Sequence, residues 1–207
     1  MTSDRRWLAI DLGTSLGWAT RISDKSGTAG IFHGCEKFNK SNRFEGGGMR
    51  FLKFARWLDQ MRANLVVIDW LCFEEVRGHK GVDAAHVYGG LLAHLTAWCE
   101  QHGIPYMGIP VGTIKKHATG SGNAAKALMI AAMVRKGHQL GHDDDDEADA
   151  LAIIHWMVDY AKTTGAPSLP AKPRKRVALK HHATTNSDRG GPSSNGSSRR
   201  RIPLDSA

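Results

Sequence analysis

The sequence has few cysteines and no long apolar run. Its three cysteines, Cys35, Cys72 and Cys99, are widely spaced and form no Cys-x-x-Cys pair. This pattern argues against a disulfide framework and against a cysteine-rich zinc site, so we expect a reducing compartment. No apolar stretch approaches the about 20 residues that span a bilayer, and the first residues lack the apolar core of a signal peptide. These absences predict a cytoplasmic protein without a membrane partner.

Acidic residues are scarce in one part of the chain. Residues 166–207 contain nine Lys and Arg against two Asp, a net charge of +7, while the whole chain carries +8. This segment has no aromatic residue and holds five of the seven prolines, a composition that does not fold alone. We therefore predict one nearly neutral domain over residues 1–165 and a disordered basic tail over 166–207. The tail is either a solubilising end or a tether for phosphate backbones, and its two arginine-rich clusters favour the tether.

Residues 1–165 show strand and helix patterns in alternation. We expect strands at 6–11, 16–22, 28–34, within 65–75 and at 104–109, and helices at 49–58, 84–102, 124–136 and 145–162. Strands that are separated by helices favour parallel pairing after the first hairpins. The order therefore predicts an α/β layered fold with a mixed sheet.

Four acidic side chains are candidates for a metal site. Asp11 and Glu74 each end a buried-strand pattern, whereas Asp146 and Asp149 are three residues apart in the last predicted helix. Side chains at that helical spacing share one face. Carboxylate oxygens are the ligands that Mg²⁺ and Mn²⁺ prefer, so these positions predict a divalent-metal site. The acidic residues 143–145 are interpreted as a solvated helix start.

Three segments resemble the signatures of RuvC-type Holliday-junction resolvases, within the ribonuclease H-like superfamily. They are Asp11-Leu-Gly-Thr-Ser-Leu-Gly-Trp-Ala, Phe73-Glu-Glu-Val and Asp146-Glu-Ala-Asp-Ala-Leu-Ala, and the resemblance spans nearly all of residues 6–160. Residues 81–90 resemble a segment of the phage-encoded branch, which implies the host cytoplasm as location. The family implies an α/β, ribonuclease H-like three-layer fold with a mixed five-stranded sheet flanked by helices.

The resemblance also implies an activity. It implies a magnesium-dependent endodeoxyribonuclease that resolves four-way DNA junctions by paired phosphodiester hydrolysis. The family's catalytic, metal-binding carboxylates fall on Asp11, Glu74, Asp146 and Asp149, with Asp11 bridging two Mg²⁺ ions that Mn²⁺ can replace. Two ions about 3.5–4 Å apart stabilise the attacking and the leaving oxygen together.

A homodimer is expected, because resolving a junction requires two symmetric nicks and each chain supplies one cluster of carboxylates. The predicted helix at 84–102 is the candidate interface. Its apolar stripe offers more surface than one sheet face needs, and the alternative is that the stripe packs internally. The stripe consists of Tyr88, Leu91, Leu92, Leu95 and Trp98.

Several basic residues are candidates for DNA contact. Lys116 and Lys126 lie on either side of the Gly-rich segment 118–122, whose backbone N–H groups would suit a phosphate. Arg77 and Lys80 follow Glu74 closely and are expected to hold a strand near the metals. Many bacterial members of the family carry an aromatic residue at the Arg77 position, so base stacking at the junction centre is put in doubt.

Two further residues lie beside these cations in the sequence. Ordinary solvation is a serious alternative to DNA contact for Lys115, which precedes Lys116. His117 is a candidate for proton transfer, only slightly favoured over a solvated histidine.

Other functions remain open from the sequence. The turn that begins at Asp11 also resembles the first phosphate loop of sugar kinases and actin-like ATPases, but no second Asp-Gly-Gly-Thr-type loop is present. A non-catalytic nucleic-acid-binding module would tolerate loss of carboxylates, and all four are intact. A less selective nuclease for branched or forked DNA is the nearest alternative to a junction resolvase.

Overall fold

The structure is a computed structural model that describes residues 5–38, 46–78, 81–141, 143–165 and 167. The described residues form five strands and five helices. In chain order these are β1 (Arg5–Asp11), β2 (Ser15–Ser23), β3 (Ala29–Lys37), α1 (Met49–Leu65), β4 (Trp70–Glu75), α2 (Val82–His102), β5 (Tyr106–Pro110), α3 (Val111–Thr119), α4 (Lys126–Arg135) and α5 (Asp145–Thr164).

The five strands form one mixed sheet in the order β3-β2-β1-β4-β5. The first three strands pair antiparallel, as their short connections predict, whereas β1 pairs parallel with β4 and β4 parallel with β5. Parallel strands end at the same edge of a sheet, so β1, β4 and β5 deliver their last residues to one place. The prediction of a mixed five-stranded α/β sheet is confirmed.

Helices cover both faces of the sheet. On one face, α1 and α2 bury a cluster of apolar side chains against β1 and β4, and on the other α3, α4 and α5 bury a second cluster. Burying one large apolar side chain contributes about 1.5–3 kcal/mol, so each layer is held mainly by this packing. Helix α5 lies across β1 and β2, the centre of the sheet.

The apolar stripe of α2 belongs to the first cluster. Tyr88, Leu91, Leu95 and Trp98 are buried in it, and Leu92 is partly buried against it. The four buried side chains are not available to a second chain, so for them the alternative of internal packing holds.

Helix α3 is absent from the sequence prediction. It has nine residues and buries one large apolar side chain, Ile114, so it leaves little periodicity in the sequence. It begins directly after β5 and ends at Gly120, which adopts a φ of 85°. Glycine takes that left-handed conformation without the penalty that a Cβ brings, and this stops the helix.

Two further predictions from the sequence concern the basic tail and membrane spans. The tail at 166–207 lies outside the described residues, apart from Pro167. None of the helices in the described ranges combines the length and the apolar character of a membrane span.

Candidate metal centre

Three carboxylates meet at the edge where the parallel strands end. Asp11 is the last residue of β1 and Glu74 lies near the end of β4. Because Ile10 pairs with Phe73 across these strands, the next residues, Asp11 and Glu74, lie side by side. The first part of α5 brings Asp149 to the same place, where its charge raises the pKa of Asp11.

Asp11 has the most perturbed environment of the group. Burial raises the pKa of its carboxyl well above the usual value, and the negative charges of Glu74, Asp149 and Asp146 raise it further. A side-chain hydrogen bond links Asp11 and Glu74, and it raises the pKa of Asp11 while lowering that of Glu74. The two carboxyl groups are therefore in direct contact, and burial disfavours their ionised forms.

Burial also disfavours the ionised forms of Asp149 and Glu74. Desolvation, followed by the charge of Glu74, raises the pKa of Asp149 to about 7. Burial also raises the pKa of Glu74, despite the hydrogen bond from Asp11. Carboxylates at neutral pH repel each other at such a site, so the arrangement favours a bound cation.

Asp146 belongs to the group but is held by its own partners. Its Oδ2 accepts a hydrogen bond from the Ser15 hydroxyl, and the Cys35 Sγ lies 4.0 Å from the same oxygen. Ser15 and Cys35 are themselves 3.2 Å apart. Among the causes that raise the pKa of Asp11, the charge of Asp146 is the smallest, so Asp146 lies at the margin of the cluster.

The first turn of α5 is fastened to two strands. At Gly17 of β2 a Cβ atom would overlap with the carbonyl oxygen and carbon of Asp146, so only glycine permits this approach. On β3, the His33 Nδ1 lies 2.6 Å from the Glu147 carboxylate. These contacts fix the position of the helix that carries Asp146 and Asp149. Gly17 lies within β2, inside the strand predicted at 16–22.

Lys115 is a cation of the site, although the sequence alone did not favour it. Its Nζ donates a hydrogen bond to the carbonyl oxygen of Ala124 at 3.1 Å. Its charge lowers the pKa of both Glu74 and Asp149. The next residue, Lys116, is exposed, whereas Lys115 is partly buried. Distinguishing the two lysines required α3, because only the helix decides which of them faces the carboxylates.

The other predicted DNA contacts lie around this edge or outside the described residues. Lys126 is exposed but forms an ion pair with Asp145. Arg77 has 78% of its side chain exposed, and it lies 3.5 Å from the Glu75 carboxylate. Lys80 lies outside the described residues. Lys116 and Arg77 are thus available to a ligand, while Lys126 would have to leave Asp145.

His117, the candidate for proton transfer, lies beside a carboxylate other than the four predicted metal ligands. Its Nε2 lies 3.1 Å from the Asp159 carboxylate. Asp159 is ten residues beyond Asp149 in α5, about 15 Å along the helix. His117 therefore pairs with a different carboxylate on the helix and does not join the cluster.

The donor set fits a hard divalent cation. Asp11, Glu74, Asp146 and Asp149 offer only oxygen ligands, as Mg²⁺ and Mn²⁺ require. Within the described ranges, no three His, Cys, Asp or Glu side chains already converge as a closed metal cage. The electrostatics identify the site, since burial of like charges is costly without a counterion.

The chain resembles solved structures more clearly than it resembles sequences. No protein-family model and no curated protein matches it. Thermus thermophilus RuvC in complex with a Holliday junction substrate is 22% identical, with a TM-score of 0.64 over 80% of this chain and 99% of that one. A second structure of Thermus thermophilus RuvC gives a TM-score of 0.62 at 22% identity, over 79% and 99% of the two chains.

A resolvase from a eukaryotic organelle shows the same likeness. The yeast mitochondrial Holliday junction resolvase Ydc2 is 15% identical, with a TM-score of 0.52 over 72% of this chain and 75% of that one. At these identities the likeness concerns the fold. The chain has the ribonuclease H-like fold of RuvC, as the sequence motifs predicted.

Proposed function

We propose that the protein is a RuvC-type resolvase, a metal-dependent endonuclease that cuts four-way DNA junctions. The observation that carries this proposal is the meeting of Asp11, Glu74 and Asp149, with Asp146 at their margin, at the end of the parallel strands. The fold shared with RuvC supports it. A non-catalytic binding module gives no reason to hold four carboxylates together against their repulsion.

Asp11, Glu74, Asp146 and Asp149 would hold divalent metal, with Mg²⁺ as the physiological ion and Mn²⁺ as a substitute. Bound metal supplies a Lewis acid for the phosphate and lowers the pKa of a water. Asp11 and Glu74 would hold the metal from the sheet, and Asp146 and Asp149 would hold it from α5. Two ions for each site is part of this proposal and is supported by the number of carboxylates.

The surrounding residues orient and balance this cluster. The Ser15 hydroxyl holds one oxygen of Asp146, which leaves the second oxygen for a ligand. Lys115 lowers the pKa of Glu74 and Asp149 and so favours their ionised forms at neutral pH. Its ammonium group is also placed to neutralise a phosphate that approaches the carboxylates.

The proposal includes the DNA contacts and the assembly. Arg77, Lys80, Lys116 and Lys126 are proposed to contact the DNA backbone, and residues 166–207 to act as a basic tether beyond a nuclease domain at 1–165. A homodimer would supply the two carboxylate clusters that paired nicking needs. The host cell's cytoplasm is the proposed location.

A panel of matched DNAs tests the activity. Four-way, three-way, forked and linear DNAs are incubated with the protein in Mg²⁺, in Mn²⁺ and in EDTA. We expect metal-dependent cleavage of the four-way junction, no cleavage by Asp11→Asn, and normal cleavage by Asp159→Asn, which alters an exposed carboxylate elsewhere on α5. Equal cleavage of forks and junctions would favour the less selective nuclease, and cleavage by Asp11→Asn would refute the proposed site.

A further inference from the structure

A second candidate binding site lies at the end of the sheet opposite the carboxylates. It is a cleft of about 280 Å³ between the start of β1, the end of β2, the turn that follows and the last part of α5. Arg5 begins β1 and Asp11 ends it, so the cleft lies about 20 Å from the metal centre. Its charged lining consists of Arg5, Arg21, Asp24 and Lys162.

Two arginines in this cleft have no counterion among the described residues. Neither Arg5 nor Arg21 takes part in an ion pair there. Burial and the positive charge of Arg5 lower the pKa of Arg21. Two guanidinium groups that repel each other in a partly desolvated cleft are stabilised by an anion between them.

The Arg21 side chain packs on the ring of Trp7. Its guanidinium carbon lies 5.3 Å from the centre of the Trp7 ring, a cation–π contact with an indole that is only 4% exposed. Stacking uses the face of the guanidinium and leaves its in-plane N–H donors for a ligand. The Trp7 Nε1 is buried and has no hydrogen-bond partner within the described part of the chain.

The other two charged side chains of the cleft, Asp24 and Lys162, already have partners among the described residues. Asp24 Oδ1 accepts hydrogen bonds from the backbone N–H groups of Ser26 and Thr28 and from the Ser26 hydroxyl, so it stabilises its own turn. Lys162 lies 2.8 Å from the Asp159 carboxylate. Among the described residues, the cleft therefore holds two guanidinium groups without an ion-pair partner, beside one carboxylate that is hydrogen-bonded within its own turn.

We propose that this cleft binds a phosphate group, with Arg5 and Arg21 as its ligands. The planar fork of a guanidinium matches two oxygens of a phosphate, and two such forks bind it more tightly than lysines would. The volume accommodates a phosphate together with part of the molecule that carries it. The site is separate from the carboxylate cluster and does not depend on the proposed nuclease activity.

Calorimetric titration with pyrophosphate tests the site. The full-length protein is kept in EDTA, so that neither metal nor cleavage contributes, and is compared with Arg5→Gln, Arg5→Gln/Arg21→Gln and Arg56→Gln. Arg56 is an exposed arginine on α1 and serves as the matched control for charge. The basic tail is the same in all four proteins, so its binding cancels in the comparison.

We expect Arg5→Gln to weaken pyrophosphate binding about tenfold or more, and the double variant to abolish this component, with Arg56→Gln unchanged. Arg5 is exposed at the end of a strand, so the single variant keeps the test valid if the double variant folds poorly. Equal affinity in wild type and Arg5→Gln would overturn the proposal.

Competition then identifies the source of the phosphate. If a short linear duplex displaces the Arg5-dependent pyrophosphate, the ligand is a DNA backbone. If the duplex leaves that component in place and a nucleoside diphosphate displaces it, the ligand is a free phosphate compound. If neither displaces it, phosphate esters do not enter the cleft and the proposal fails.

Discussion

At the scale of single residues, the carboxylate cluster reduces the stability of the metal-free protein. Asp11, Glu74 and Asp149 all have raised pKa values, and burial is the first cause for each. Folding therefore works against their ionisation. A cation that binds only the folded state would offset the free-energy cost of burying these ionised carboxylates. Without the cation, the residues proposed for function lower the stability of the fold.

Replacing Asp149 allows the stability cost of its buried charge to be measured. Its pKa is about 7 when folded, above the usual 3.8, so the stability it contributes is complete below about pH 4 and is lost as the pH rises through 7. Asp149→Asn stays neutral throughout. In EDTA we expect its stability advantage over wild type to grow between pH 4 and 7 and to level off at on the order of 4 kcal/mol.

Asp159→Asn is the matched control for this series. The pKa of Asp159 is lowered, first by its hydrogen bond with Lys162, so its contribution is present at neutral pH and is lost on acidification. We expect this variant to be less stable than wild type at pH 7 and the difference to shrink below about pH 4. Urea unfolding at several pH values measures both effects, and an Asp149→Asn advantage that is independent of pH would contradict the assigned burial.

Lys115 offers a second test at this scale. Removing its charge by Lys115→Met raises the pKa of Glu74 and Asp149, because the lysine lowers both. We expect roughly tenfold or slower cleavage near neutral pH and an acidic limb of the rate profile that moves to higher pH. Lys116→Met, which changes the neighbouring lysine, should leave the position of that limb unchanged. Identical profiles for the two variants would remove Lys115 from the site.

The sequence could predict the position of a side chain where that side chain ends a strand. Asp11 and Glu74 follow buried-strand patterns, so the sequence could place them at one edge of a sheet, and the structure places them side by side. Lys115 and His117 could not be placed in this way, because their directions depend on α3 and on its packing against α5. The hydrogen bond from Ser15 to Asp146 could not be predicted, because it joins residues that are 131 positions apart in the sequence.

At the scale of elements, the approach of β2 to α5 is the critical contact. Gly17→Ala would place a methyl group against the backbone of Asp146 and force the first turn of α5 away from the sheet. We expect stability to fall by about 1–3 kcal/mol and cleavage to fall sharply, because Asp146 and Asp149 move with the helix. Gly81→Ala is the control, since a Cβ there meets no atom within 4 Å. Thermal unfolding and junction cleavage are the measurements. Normal cleavage by Gly17→Ala would show that α5 tolerates displacement.

Elements with a strong hydrophobic periodicity were predictable from the sequence. Short elements, and element ends that depend on tertiary packing, were not. The strands β1 to β3 and the helices α2 and α5 lie close to their predicted ranges. Helix α1 continues to Leu65, seven residues beyond the predicted end, because Met61 and Leu65 extend its buried face. Helix α3 buries one large apolar residue, so its sequence carried too little pattern to predict it.

At the scale of the whole molecule, the charge distribution separates the domain from its tail. Residues 166–207 carry +7 of the +8 net charge. Deleting them should leave thermal unfolding unchanged but weaken DNA binding. The log-log salt dependence of binding should flatten by about 0.9 for each phosphate that the shortened protein no longer neutralises. Binding to four-way DNA in EDTA at several salt concentrations measures this, and an unchanged slope would show that the tail does not touch DNA.

The central claim is paired, metal-dependent cutting of a four-way junction, and a supercoiled plasmid that extrudes a cruciform tests it most directly. Two nicks within one binding event convert this plasmid to a linear form, whereas independent nicks give relaxed circles first. We predict linear product in Mg²⁺, with symmetric cuts in strands of like polarity, and no product from Asp11→Asn or in EDTA. Relaxed circles alone, or equal cutting of a plasmid without the cruciform, would contradict the account.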